Sequence, residues 1–118
     1  MKKFLIPYWI LCFVLTHLPP SSALPEAPGL DKVMHFGGYS LLGFLLSLYF
    51  LSKHGSKKTW ILRALGILAA YSVLDELTQP LVGRDFEVGD LFADSLGGFF
   101  GISAGRWAWR LKKISPDR

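Results

Sequence analysis

The chain has 118 residues, of which 51% are hydrophobic and 19% charged, and its mean hydropathy is +0.34. This length allows one domain. A soluble domain of this size buries only about two-thirds of its unfolded surface and needs abundant polar residues, so long apolar blocks with few charges favour a membrane protein. The net charge of +4 does not indicate a nucleic-acid partner, because the basic residues flank apolar blocks and form no stripe.

Four apolar segments predict helices over about residues 4–18, 33–52, 60–79 and 90–111. A spanning helix needs about 20 predominantly apolar residues, so the second and fourth segments qualify directly. The third qualifies if its acidic end lies at the interface or faces other helices, and the first is short and contains Pro7. We therefore expect an all-α membrane bundle of about four transmembrane helices, forming one domain over residues 1–118.

The first segment has two interpretations. Lys2 and Lys3, an apolar run and then Ser21-Ser22-Ala23 resemble a secretory signal peptide with small residues before the cleavage point. The alternative is a retained first helix, ended by Pro19-Pro20 because proline cannot continue a helix. The orientation of the remaining segments is the same in both cases.

The charges predict an orientation in the membrane. Eleven of the 13 basic residues lie at the amino end, around the second connection or at the carboxyl end. Cytoplasmic flanks are enriched in Lys and Arg, so an even number of spans places both termini in the cytoplasm. Eight of the nine acids, with Lys32 and Arg84, then lie on the outer side. We expect a multi-pass membrane protein with both termini in the cytoplasm.

Polar residues interrupt the apolar segments at their outer ends. Asp31, His35 and Tyr39 are each four residues apart, as are Asp75 and Gln79, and Asp90 and Asp94, so each set shares one face of a helix. Ionisable groups at membrane depth are costly and usually functional. The predicted binding residues are Asp31, Lys32, His35, Tyr39, Asp75, Glu76, Gln79, Arg84, Asp90 and Asp94.

Simpler roles are open for several of these residues. Asp31 can cap the second helix, Tyr39 can be a packing aromatic, and Arg84 can be a solvated loop charge. The joint pattern is more informative, because unrelated loop charges would not recur at helical spacing on one side. We expect Lys32 and Arg84 to neutralise part of the acidic set, with an acidic excess remaining.

Glycines continue the aspartate face of the fourth segment. Gly97, Gly101 and Gly105 recur every four residues after Asp94. Small residues at this spacing allow close helix approach in lipid. We therefore expect tight packing that brings the polar ends together.

The three motifs, Asp31-Lys32-x-x-His35-Phe36-x-x-Tyr39, Asp75-Glu76-x-x-Gln79, and Arg84 with Asp90 and Asp94-x-x-Gly97, resemble the VanZ-like family of small membrane proteins over about residues 5 to 110. Ser95 departs from the family, which often carries Asn there. The resemblance implies a bacterial inner-membrane protein of several helices. It also implies a link to low-level resistance to the glycopeptide teicoplanin, which is associated with the founding member.

Two classes of function follow. The first is recognition or modulation of a cell-envelope component, such as a lipid-linked precursor, with Arg84 and Lys32 on phosphate or carboxylate groups. The second is a membrane-embedded enzyme on a lipid-linked or glycan substrate, with His35, Asp75 and Glu76 as candidate catalytic residues. A small transporter is a weaker alternative, because the cytoplasmic half shows no matching polar path. The cofactor is open, and no metal ligand is assigned because the spacing fits no standard metal motif.

Overall fold

The computed structural model describes residues 1–19, 29–55 and 57–115. The described chain contains four α-helices, α1 (Lys2–Thr16), α2 (Leu30–His54), α3 (Thr59–Thr78) and α4 (Val88–Ile114), and no strand. The expectation of an all-helical fold is confirmed for these residues. The proposed cleavage region at Ser21-Ser22-Ala23 lies outside them, as do Glu26 and Arg118.

The observed helix ends differ from the predicted ones by a few residues. Glycine and proline residues, with their special backbone geometry, account for several of these differences. Gly29 and Gly55 adopt positive φ angles of 79° and 62° and mark the two ends of α2, which lie a few residues beyond the apolar run on either side. Pro80 cannot continue α3, because it lacks an N–H and its ring meets the carbonyl of Glu76. The chain therefore changes to a 3₁₀ turn at Gln79–Val82, and Gly83 ends this turn at a φ of 80°.

The closest packing joins α2 and α4 along the predicted glycine face. A β-carbon at Gly97 would collide with the carbonyl oxygen of Phe36, and one at Gly101 with the carbonyl oxygen of Ser40. A β-carbon at Gly105 would collide with the Oγ of Ser47. The prediction of close helix approach at these positions is confirmed, and it sets the distance between the two helices that carry His35 and Asp94.

Apolar residues fill the middle of the bundle. Leu42 and Leu46 of α2 are buried with Ala64 and Leu68 of α3 and with Ile102 of α4. The first helix packs on this core through Leu5 and through Trp9, whose ring meets that of Tyr71 edge-on at 5.4 Å. The Tyr8 hydroxyl also donates to the Gly38 carbonyl at 2.8 Å, so α1 is attached to both α2 and α3.

The basic residues gather at one end of the bundle. Lys2 of α1 and Lys53 of α2 both lie over the ring of Tyr49, at 6.0 and 5.3 Å from its centroid. On the other side of this end, a small cleft is lined by Lys58 and by Arg106 and Arg110 of α4. Trp60 and Trp109 line the same cleft, and Trp60 is buried.

The outer surface of the bundle is apolar. Large hydrophobic side chains are exposed on all four helices, for example Ile10, Val33, Leu62 and Phe99, whereas several ionisable side chains are buried. Of the helices in the described part of the chain, one, α2, is long and apolar enough to cross a membrane by length and composition. The helix α4 carries more charged residues than α2, and the acids of α3 and α4, namely Asp75, Glu76, Asp90 and Asp94, are buried.

Candidate functional site

Four ionisable residues from three helices meet inside the bundle at the end opposite the basic residues. His35 of α2, Asp75 and Glu76 of α3 and Asp94 of α4 each offer one donor atom, and these atoms lie within 4.8 Å of one another. No more than 3% of any of these side chains is exposed. We call these four residues the inner cluster. All four were predicted as site residues.

The shortest contact in the inner cluster joins α2 to α4. His35 Nδ1 lies 2.7 Å from Asp94 Oδ1, and because an ionised carboxylate only accepts, Nδ1 donates in this arrangement. The second oxygen of Asp94 accepts a hydrogen bond from the Ser72 hydroxyl of α3 at 2.7 Å. Asp94 thus connects all three helices, and the glycines below it allow α4 to come this close to α2.

Asp75 is held from the first helix. The Thr16 hydroxyl donates to Asp75 Oδ1 at 2.6 Å, and His17 Nδ1 lies 3.5 Å from the same oxygen. The other ring nitrogen of His17 lies 2.6 Å from the Thr78 hydroxyl. Asp75 Oδ2 is buried and has no hydrogen-bond partner among the described residues.

Glu76 is oriented by the segment that follows its helix. Gln79 Nε2 donates to Glu76 Oε1 at 3.3 Å, and the backbone N–H of Glu87 donates to Glu76 Oε2 at the same distance. The 3₁₀ turn caused by Pro80 brings the connection back over α3, which makes the second contact possible. Gln79, a predicted site residue, therefore lies in the site as a support for Glu76.

A second layer of charges lies above the inner cluster. Lys32 donates to Asp90 Oδ1 at 2.6 Å and forms an ion pair with Glu87. Arg84 Nη2 lies 3.3 Å from Asp31 Oδ1. We call this group the outer cluster, and its members are Asp31, Lys32, Arg84, Glu87 and Asp90.

The two basic residues of the outer cluster are partly exposed, with 39% of the Lys32 side chain and 28% of the Arg84 side chain accessible. Neither forms an ion pair with an inner-cluster carboxylate among the described residues. The expected partial neutralisation by Lys32 and Arg84 is therefore restricted to Asp31, Glu87 and Asp90. The acidic excess is located in the buried layer.

The simpler roles predicted for Asp31 and Tyr39 have different outcomes in the structure. Asp31 does not cap α2, because the helix begins at Leu30 after Gly29 and Asp31 lies in its first turn, where it pairs with Arg84. Tyr39 packs in the core against Tyr71, with ring centroids 5.7 Å apart, and its hydroxyl has no hydrogen-bond partner in the described part of the chain. Ser95 is exposed and donates to the carbonyl of Leu91 in its own helix, so it does not reach the cluster.

A family model described as VanZ/LLP1 matches residues 4–110, nearly the whole chain. The chain belongs to the VanZ/LLP1 family. The resemblance predicted from the three motifs is thereby confirmed. No curated protein and no solved structure matches the chain.

Sequence reasoning missed four supporting residues of this VanZ/LLP1 protein, namely Thr16, His17, Ser72 and Glu87. Ser72 could have been predicted from the sequence, because it lies three residues before Asp75 and four before Glu76, on one face of α3. Thr16 and His17 carried no such signal, since only the packing of α1 places them beside Asp75. Glu87 acts on Glu76 through its backbone N–H, which no side-chain pattern can indicate.

The arrangement in this VanZ/LLP1 protein supports two kinds of chemistry. The outer cluster offers exposed cations that can bind an anionic group. The inner cluster sets one imidazole among three buried carboxylates, a combination suited to proton transfer or to holding a positively charged group. No serine or cysteine in the described residues forms a hydrogen bond with His35, so the geometry contains no His-activated nucleophile of this kind.

Proposed function

We propose that the chain is a multi-pass protein of the bacterial cytoplasmic membrane whose extracytoplasmic site binds or modulates a cell-envelope component. The observation that carries this proposal is the position of a mixed-charge mouth, Lys32 and Arg84 over buried acids, at one end of helices whose outer faces are apolar. A ligand with an anionic head and a lipid tail matches both surfaces.

The orientation is supported by the separation of charges along the bundle. The basic end contains Lys2, Lys53, Lys58, Arg106 and Arg110, and the inner and outer clusters lie at the other end. Cytoplasmic flanks carry the excess of Lys and Arg, so the clusters belong to the outer side and both termini to the cytoplasm. The bundle is 51 Å long, enough to cross a hydrocarbon layer of about 30 Å.

The contacts of Arg84 suit it to an anionic ligand. Its guanidinium has five N–H donors and makes two long contacts among the described residues, to Asp31 Oδ1 at 3.3 Å and to the Leu18 carbonyl at 3.4 Å. Both are weak enough to be exchanged for the shorter, bidentate bonds that guanidinium forms with phosphate. Arg84 is therefore the predicted contact for the phosphate of a lipid-linked precursor.

A cleft between α3 and α4 provides a path for the apolar part of such a ligand. It has a volume of about 190 Å³ and is lined by Leu65, Leu68 and Phe99, with Ser72 and Asp94 at its polar side. The cleft opens on the apolar outer surface. An acyl or isoprenoid chain can lie against it while the head group occupies the mouth.

Binding in nanodiscs tests this proposal. Wild-type protein is expected to bind lipid-linked peptidoglycan precursors, whereas Arg84→Ala and Asp75→Asn are expected to bind at least tenfold more weakly, because they remove the anion contact and alter the buried acids. The matched control is Arg63→Ala, which removes an exposed arginine at the basic end. Binding by Arg84→Ala and Asp75→Asn at wild-type strength contradicts the proposal.

A role in teicoplanin-type resistance is part of the proposal, because an envelope component is the target of glycopeptides. Expression of the wild-type chain in a susceptible strain is expected to raise the inhibitory concentration of teicoplanin, and Arg84→Ala is expected to remove this increase. Equal inhibitory concentrations with and without the wild-type chain would exclude this role while leaving the binding assay to decide the site.

The second candidate is a membrane-embedded enzyme acting on a lipid-linked or glycan substrate. The observation that favours it is the His35–Asp94 pair at 2.7 Å, in which a buried carboxylate orients an imidazole as it does in general-base catalysis. Product analysis after incubation with envelope lipids tests it. Turnover that is lost in His35→Gln supports the enzyme, and the absence of product with wild-type protein rejects it.

A further inference from the structure

We infer that His35, Asp75, Glu76 and Asp94 form a binding site for one divalent first-row metal ion. The four residues come from three separate segments of the sequence, around positions 35, 75–76 and 94, and no spacing motif unites them. Packing of α2, α3 and α4 places one donor atom from each within 4.8 Å of the others. The ion would be held by residues below the exposed mouth of Lys32 and Arg84, and the inference does not depend on the proposed envelope ligand.

The distances suit a small ion. Adjacent ligands at about 2.1 Å from one ion in near-octahedral geometry are about 3 Å apart. His35 Nδ1 lies 2.7 Å from Asp94 Oδ1 and 3.9 Å from Glu76 Oε1. Small side-chain shifts therefore convert the present contacts into a coordination shell, without movement of the helices.

A buried oxygen without a partner points independently to an occupant. Asp75 is fully buried, and its Oδ1 is held by Thr16, yet its Oδ2 has no hydrogen-bond partner among the described residues. A buried carboxylate oxygen without a partner is costly, since the charged group has left water without compensation. A metal ion bound by the inner cluster supplies the missing interaction.

The second ring nitrogen of His35 faces two further carboxylates. If Nδ1 binds the ion, its proton leaves and the ring carries hydrogen on Nε2. That nitrogen lies 3.6 Å from Asp90 Oδ2 and 3.8 Å from Asp31 Oδ1. Ligating histidines usually direct their second N–H to a carboxylate, which fixes the ring and raises its basicity. Both distances are longer than a hydrogen bond, so a small side-chain shift would be needed before Asp90 or Asp31 of the outer cluster accepted this N–H.

Charge balance also favours a cation. Three buried carboxylates meet one buried imidazole, and Lys32 and Arg84 are engaged with outer acids. A divalent ion offsets two of the three negative charges. Imidazole with carboxylates and no thiolate suits Zn²⁺ or Mn²⁺ better than Mg²⁺, which demands an octahedral oxygen shell and retains its water.

Metal analysis of the full chain tests the inference. Protein carrying a streptavidin-binding tag, with no oligohistidine, is purified without added metal, and its metal content is measured by mass spectrometry. It is then stripped with chelator and titrated with Zn²⁺, Mn²⁺ and Mg²⁺ by calorimetry and thermal unfolding. We expect one ion per chain, with Zn²⁺ tighter than Mn²⁺ and Mn²⁺ tighter than Mg²⁺. Saturating Zn²⁺ should raise the unfolding temperature by more than about 5 °C.

Variants assign the ligands. Asp75→Asn and Glu76→Gln should each weaken Zn²⁺ binding at least tenfold, whereas Asp85→Asn, an exposed acid of the same end, should bind as wild type. In chelator the two ligand variants should unfold at or above the wild-type temperature, because each removes one buried negative charge. This separates loss of the ion from loss of the fold.

A measurement on the wild-type chain keeps the test decisive if the variants fold poorly. Pulsed electron paramagnetic resonance of Mn²⁺-loaded protein should show coupling to one imidazole nitrogen, absent in His35→Gln. The inference is overturned if stripped wild-type protein shows no saturable binding of Zn²⁺ or Mn²⁺ up to about 1 mM, a Kd near the weak limit of specific association. It is also overturned if Asp75→Asn and Glu76→Gln both bind as wild type.

Discussion

One carboxylate oxygen of Asp75 accepts a hydrogen bond from the Thr16 hydroxyl at 2.6 Å. The other oxygen has no hydrogen-bond partner among the described residues. Thr16→Val keeps the shape of the side chain and removes the donor. We expect a loss of about 1–3 kcal/mol in the free energy of unfolding, the cost of leaving a buried acceptor unsatisfied. Reversible denaturation in mixed micelles measures this loss.

The control for this prediction is Ser52→Ala. Ser52 is exposed, and its hydroxyl donates to the Tyr49 carbonyl within its own helix, so its removal is expected to cost less than about 0.5 kcal/mol. Equal effects of the two substitutions would show that Thr16 does not support Asp75.

Residue patterns indicated which side chains meet but not how they pair. His35 and Asp94 were predicted from helical spacing, and the structure joins them at 2.7 Å. Helical spacing fixes the face of a residue on its own helix, and the structure brings Asp31 and Arg84 to the same end of the bundle. Their pairing with each other depends on the path of the connection before α4, which no local pattern determines.

Between elements, the α2–α4 contact depends on glycines that admit no side chain. Gly101→Ala is expected to lower the free energy of unfolding by about 1–3 kcal/mol, because its methyl group would collide with the Ser40 carbonyl. The matched control is Gly66→Ala on α3, where nothing lies within 4 Å of the added β-carbon. This control should be neutral or stabilising by up to about 1 kcal/mol, since alanine is the better helix former. Equal losses in the two variants would contradict the packing role.

The first helix is attached by specific contacts, and we expect it to be retained in the mature protein. Tyr8 donates to Gly38, the Trp9 ring meets that of Tyr71, and Thr16 donates to Asp75. Cleavage near Ala23 would remove all three contacts and leave both oxygens of Asp75 without support. Intact mass spectrometry of the protein purified from membranes measures this directly, and a mass that lacks the first 20 or so residues would show cleavage.

For the whole molecule, the opposed basic and acidic ends predict a single orientation in the membrane. In a Cys12→Ser background, Asp85→Cys at the acidic end should react with a membrane-impermeant maleimide in intact spheroplasts. Lys57→Cys at the basic end should react only after permeabilisation, because positively charged flanks stay in the cytoplasm. Labelling of Lys57→Cys in intact spheroplasts would reverse the proposed topology.

The mean hydropathy of α3 and α4 underestimates how apolar their outer faces are. The third and fourth helices contain acids that lower their mean hydropathy, yet Asp75, Glu76, Asp90 and Asp94 are buried between helices. The residues on their outer faces include Leu62, Val73, Phe92 and Phe99, which are exposed. A count along the sequence averages the two faces, whereas a lipid environment meets only the outer one.

The sequence by itself determined the helical fold and the family, and it predicted most of the residues of the candidate site. These conclusions rest on local properties of the chain, namely apolar runs, helix-breaking prolines and glycines, and polar residues four positions apart. Helix geometry relates such properties directly to the faces of a helix. The tertiary structure decided which acids are buried together, that Thr16 and His17 support Asp75, and that Lys32 and Arg84 stay in the outer layer. These contacts depend on the docking of α1 and on the path of the connection after Pro80. Contacts between segments that are distant in sequence produce no periodic pattern of residues from which they could be predicted.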